Sequence, residues 1–66
     1  MDIVAVMKER RRSLRLSQLD LAEMAEVSLA TIKDIERGKG NPSLRTIERI
    51  MAVLGMDIVL KIHTPY

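Results

Sequence analysis

Apolar residues recur at helical spacing along most of the chain, and the period changes only near its end. From about Asp2 to Leu14, Ile3/Val4, Met7 and Leu14 form one stripe, with Arg11 in the same row. This predicts a first amphipathic helix capped by Asp2. A second, short helix is predicted over Gln18–Ala25, burying Leu21, Ala22 and Ala25. A third covers Leu29–Arg37 with Ile32 and Ile35 inward, and Gly38 stops it as a left-handed cap. After the loop Lys39-Gly40-Asn41-Pro42, a fourth covers Leu44–Leu54, with Leu44, Ile47, Ile50/Met51 and Leu54 inward and Gly55 at its end. Ser17, Ser28 and Ser43 stand just before the last three, where a hydroxyl can accept an orphan first-turn amide, a contribution of about 1 kcal/mol. From Met56 to His63 the pattern alternates, with Met56, Ile58, Leu60 and Ile62 on one face, as in a strand. One strand alone leaves its backbone groups unpaired. Its simplest partner is the same strand of a second copy, antiparallel across a two-fold axis.

Composition explains why that partner matters. The 66 residues make one domain at most and include no cysteine and a single aromatic, Tyr66. Disulfides and thiolate metal sites are excluded. A core of Leu, Ile, Val, Met and Ala in so short a chain is marginal, so burial is expected from a second chain. The division is residues 1–55 as a helical domain and 56–66 as a dimerisation strand (Met56, Asp57, Ile58, Val59, Leu60, Lys61, Ile62) with its tail.

The net charge of +2 is mild, but its distribution is not. Residues 8–15 carry a local +4, residues 18–26 a local −3, and residues 33–49 a local +2. Arg11, on a core-facing row, demands a partner. No apolar run is long enough to span a membrane. The opening MDIVAVMKERRR places its basic cluster after the apolar part, unlike a secretory signal. Enzymatic chemistry is not expected: the one histidine, His63, has no acid/base constellation around it, and Gly38-Lys39-Gly40 is too short for a phosphate loop. No cofactor or metal is called for.

Two short helices joined through Ala25-Glu26-Val27-Ser28 have the dimensions of a helix-turn-helix. Ala22 allows close approach at their crossing, and Val27, Ile32 and Ile35 lock the second helix onto the first. The outer face of the third helix, with Leu29, Ala30, Thr31, Lys33, Asp34 and Arg37, is then free to enter a major groove. Plain helical bundles share this spacing.

The stretch Met7–Gly55 resembles the Cro/C1-type (XRE) helix-turn-helix family of phage repressors and small bacterial regulators. The resemblance lies in Lys8-Glu9-Arg10-Arg11-Arg12, Leu16-Ser17-Gln18, Leu21-Ala22, Val27-Ser28, Thr31-Ile32, Ile35-Glu36, Gly38-Lys39, Asn41-Pro42-Ser43-Leu44 and Leu54-Gly55. It implies an all-α, four- to five-helix lambda-repressor-like domain. The tail Met56–Ile62 is similar to the C-terminal strand of HipB-like antitoxins, which pairs across the homodimer. By the resemblance, Gln18 contacts a phosphate and braces the third helix. Ser28, Leu29, Ala30, Thr31, Lys33 and Asp34 face base edges or flanking backbone. Arg37, Lys39, Asn41 and Ser43 hold phosphates, and Arg11 pairs with Glu36. The family usually has glycine where this chain has Arg15 and Glu26.

The expected function is a homodimeric repressor that binds a palindromic operator in double-stranded DNA. By the tail resemblance it is the antitoxin of an operon with a HipA-like kinase toxin. The alternatives are a module whose main task is toxin neutralisation, or a stand-alone phage-type repressor. The expected setting is the cytoplasm of a bacterium, at the nucleoid. A basic amphipathic helix on a membrane is disfavoured by Arg11 in the apolar stripe.

Overall fold

Every helix opens on a side-chain cap and closes on the same backbone turn. The computed structural model describes residues 2–64, in the order α1 (Ile3–Ser13), α2 (Gln18–Ala25), α3 (Leu29–Glu36) and α4 (Leu44–Val53). Asp2 accepts from the amides of Val4 and Ala5, Ser28 from Thr31, and Ser43 from Thr46. At α2 the cap is reciprocal. Ser17 Oγ accepts the Asp20 amide, and the Asp20 carboxylate accepts the Ser17 amide, each at 2.9 Å. The Ser17 amide and then its hydroxyl hold the Asp20 carboxyl below its ordinary 3.8.

The exits are equally uniform. Each has a six-residue and a nested shorter return: Leu16 to Arg11 with Arg15 to Arg12, Val27 to Ala22 with Glu26 to Glu23, Lys39 to Asp34 with Gly38 to Ile35, and Met56 to Met51 with Gly55 to Ala52. The pivots Arg15, Glu26, Gly38 and Gly55 are left-handed, with φ of 58°, 57°, 73° and 72°. After three of them the next residue (Leu16, Val27, Met56) packs on the core, so the turn steers the chain back inward. Lys39, after the Gly38 pivot, is exposed, and there the chain leaves for a surface loop.

The core joins all four helices. Met7 comes from α1, Leu21, Ala22 and Ala25 from α2, Ile32 and Ile35 from α3, and Ile50, Met51 and Leu54 from α4 and its cap. α2 packs on both α3 and α4, and α1 lies against α3. Ala22, only 2% exposed in this core, leaves no room for a larger side chain. One tie was not legible in the sequence. Arg10 Nε donates to the Leu54 carbonyl at 2.9 Å, fastening α1 to the end of α4. α4 has no basic residue in its own last turn, so another helix supplies the cation that its C-terminal dipole favours.

One expectation is corrected. Leu14 and Leu44 are not inward, and of Ile3/Val4 it is Val4 that packs on the core: Ile3, Leu14 and Leu44 are 42%, 40% and 59% exposed. Each sits at a helix end, where neighbours cover one side only. The helices number four among the described residues, within the four to five expected. The segment 56–64 has no strand in the single chain, since strand pairing needs a second extended segment and none is present among the described residues. Its single apolar face divides. Met56 and Ile58 pack on the core, while Leu60 and Ile62 are 87% and 97% exposed. Met1, and Pro65 and Tyr66 of the tail, lie outside the described residues. No helix among those described is long and apolar enough to cross a membrane.

Candidate nucleic-acid interface

The inner side of α3 is fixed by charge as well as by packing. Arg11 Nε donates to Glu36 Oε2 at 2.7 Å and Arg11 Nη2 to Glu36 Oε1 at 2.9 Å, a two-pronged pair between α1 and the last residue of α3. Their side chains are 11% and 4% exposed. Arg11 Nη1 also donates to the Leu16 carbonyl at 2.8 Å, and Gln18 Nε2 to Glu36 Oε1 at 3.2 Å. Among the described residues, no buried side-chain nitrogen or oxygen lacks a partner. Burial pushes the Glu36 carboxyl up, but hydrogen bonds from Arg11 and Gln18 and the charges of Arg11 and Lys8 outweigh it and hold it below its ordinary value. The same hydrogen bond to Glu36 raises Arg11 against the effect of burial. The end of α3 is thereby tied to α1 and to the first residue of α2.

The outer side of α3 is open. Ala30, Lys33 and Arg37 are exposed, and Thr31 and Asp34 are half-buried. Leu29 is half-buried because it packs on the core. Ser28 is exposed, and its hydroxyl lies 2.8 Å from that of Thr31. The loop after α3 folds beside this face: Thr31, Asp34, Lys39, Gly40, Asn41 and Pro42 line one shallow groove. Lys39, Asn41 and Ser43 are exposed. Ser43 also caps α4, whose first-turn amides lie behind it. Gln18 is held on Glu36, which leaves it half-buried behind the end of α3.

One feature of this face escaped the sequence reading. Asp34 forms an ion pair with Arg37 one helical turn on. Opposite charges three residues apart on a helix were the available signal. The acids Asp20, Glu23 and Glu26 of α2 and its closing turn are exposed. No cluster of His, Asp and Glu that could hold a metal ion occurs among the described residues.

A second surface lies opposite in character. Leu44, Met51, Ala52, Met56, Ile58 and Leu60, together with the acids Glu48 and Asp57, line an open groove on α4 and the tail. Beside it Val59 is 81% exposed, and Lys61 is exposed as well.

Comparison with known proteins follows this geometry. A family model described as helix-turn-helix matches residues 7–60. The chain is similar to the immunity repressor protein of Bacillus phage phi105, at 43% identity over 85% of this chain and 36% of the relative. It is similar to the ImmF control region 10 kDa protein of the same phage, at 34% identity over 86% of this chain and 64% of the relative. It is also similar to the HTH-type transcriptional regulator DdrOP3 of Deinococcus deserti, at 33% identity over 79% of this chain and 40% of the relative. The chain thus spans from about a third to just under two thirds of the length of these relatives.

Proposed function

The chain belongs to the Cro/C1-type (XRE) helix-turn-helix family, and we propose that it is a sequence-specific DNA-binding transcriptional repressor. The observation that carries this reading is the two-sidedness of α3. Its inner side and its end are immobilised by Ile32, Ile35 and the Arg11–Glu36–Gln18 network, while its outer side is free. A reader of base edges needs that rigidity, because hydrogen-bond discrimination depends on a fixed donor position.

In this reading α3 lies in the major groove. Lys33 donates to guanine O6 or N7, Ala30 and the exposed edge of Leu29 meet thymine methyls, and Ser28 and Thr31 offer hydroxyls to either strand. Arg37, Lys39 and Asn41 hold phosphates, joined by Ser43 and the first amides of α4, with Gln18 flanking. About four to five phosphate contacts per subunit make affinity fall steeply with salt.

The operator is palindromic because the protein acts as a homodimer. The groove of Leu44, Met51 and Ala52, with Val59, Leu60 and Ile62 exposed beside it, supports self-association through the tail. Extended tails from two copies supply each other's missing ladder partner. A stand-alone phage-type repressor is favoured over an antitoxin, since the relatives are named as a phage immunity repressor, an ImmF control region protein of the same phage and a transcriptional regulator. Neither the structure nor these relatives support a HipA-like toxin partner.

Selection of bound duplexes from a random pool tests the function. Enrichment of a two-fold symmetric site with half-sites about one helical turn apart, ~10 bp or a small multiple, is expected. A pool that stays random contradicts it.

A further inference from the structure

The Asp34–Arg37 pair stands on the face that DNA would occupy. The Asp34 side chain is half-buried, at 43% exposed, and that of Arg37 is 61% exposed, so burial does not force the pair together. A structural role is small: an exposed pair of this kind adds little to stability. A carboxylate is also unwelcome beside a phosphate backbone, and yet Asp34 sits between Thr31 and the Lys39–Pro42 loop, in the groove shared with Asn41. Its location is polar and facing outward, where a neutral residue would fit as well.

We propose that Asp34 is an internal competitor for Arg37, occupying the guanidinium in the free protein as a phosphate would in the complex. The inference rests on the DNA-binding reading and deepens it. A guanidinium presents a fork of donors, and a carboxylate and a phosphate both offer two acceptor oxygens to it. To grip the backbone, Arg37 must exchange one for the other. Part of the gain from that phosphate contact is therefore spent on leaving Asp34. The exchange acts on every sequence alike, because phosphates carry no sequence information. Its effect is to lower the general affinity for DNA and leave discrimination to Lys33 and the hydroxyls of Ser28 and Thr31. Asp34 is thus a positioning residue that acts through Arg37, with no base of its own to read.

The test is equilibrium binding of the full chain to a fluorescent random-sequence duplex across a salt series, for the wild type, Asp34→Asn, Arg37→Gln and the double variant. Thermal melts verify that each stays folded. Asp34→Asn should bind about two- to fivefold tighter per subunit, with the log–log salt slope essentially unchanged, because Arg37 holds the same phosphate in both complexes. In the Arg37→Gln background most of that gain should vanish. An unchanged affinity for Asp34→Asn overturns the proposal, as does a slope steeper by a whole contact, which would mean that Arg37 never leaves Asp34 in the wild type. So does a gain just as large without Arg37, which would make Asp34 a plain repulsive charge. A wild type that binds no duplex even at low salt overturns the DNA-binding reading itself.

Discussion

Gln18, the first residue of α2, donates to the Oε1 atom of Glu36, the last residue of α3, at 3.2 Å, and that same oxygen accepts from Arg11 at 2.9 Å. One carboxylate therefore ties three helices together at the point where α3 ends. Its energetics are asymmetric. Removing one member strands a buried charge, whereas replacing the pair by apolar groups removes the need for it.

Glu36→Ala should accordingly cost about 3 kcal/mol, because it leaves Arg11 buried and unpaired. In so small a domain that lowers the melting midpoint by more than ~10 °C. The double change Arg11→Met with Glu36→Leu should recover most of the loss. Calorimetry or circular-dichroism melts of the three proteins check this, and an unchanged midpoint for Glu36→Ala contradicts it.

Acid should unfold the domain through the same carboxylate. Glu36 is held below its ordinary 4.5 in the folded chain, so its contribution is complete above that value. The contribution is lost as pH falls from there through the folded value, where the folded state must take up a proton. Asp20, also depressed, acts in the same direction. Melts across this range should show stability flat above about pH 5 and falling below it. Glu36→Gln should be less stable near neutrality but shallower on the acid side.

The helix exits predict opposite signs for similar substitutions. Glu26 is a side chain in a left-handed pivot, and Glu26→Gly should stabilise by up to about 1 kcal/mol. Gly38 has the same role, and a Cβ built there meets nothing within 4 Å. Gly38→Ala should thus destabilise by about 1 kcal/mol through backbone conformation alone. Chemical denaturation curves measure both, and a destabilised Glu26→Gly would mean the Glu26 side chain does more than fill the turn.

Self-association should fail without loss of fold when the outer tail is made polar. Leu60 and Ile62 are almost fully exposed in the single chain, whereas Met56 and Ile58 belong to its core. Leu60→Asp with Ile62→Asp should therefore leave the melt of the monomer intact and give a monomer by sedimentation. Its operator affinity should fall sharply. A dimer that persists in this variant contradicts a tail-mediated interface. Truncation after Gly55 is the harsher version, expected to fold poorly because it also strips Met56 and Ile58.

Much of this was readable from residues because the relevant forces are local. Asp2 before the first apolar run, serines before the other three, and glycines or their substitutes after them placed every helix to within a residue or so. Arg11 in an apolar row signalled a buried partner. What escaped depends on distance in sequence. Nothing near Arg10 points to the Leu54 carbonyl, 44 residues on. Nothing in the period of the tail separates Met56 and Ile58, which the core covers, from Leu60 and Ile62, which it does not reach. The Asp34–Arg37 pair was legible by spacing but overshadowed by the roles its two members suggested singly.

If α3 reads base edges, the loss of Lys33 must change the sequence the protein selects. Duplex selection should be run in parallel with the wild type and Lys33→Ala. The variant's motif should keep its symmetry and spacing but lose a guanine preference at one symmetric pair of positions, a discrimination of about 1–3 kcal/mol at each. An identical motif for both proteins would contradict base reading by α3.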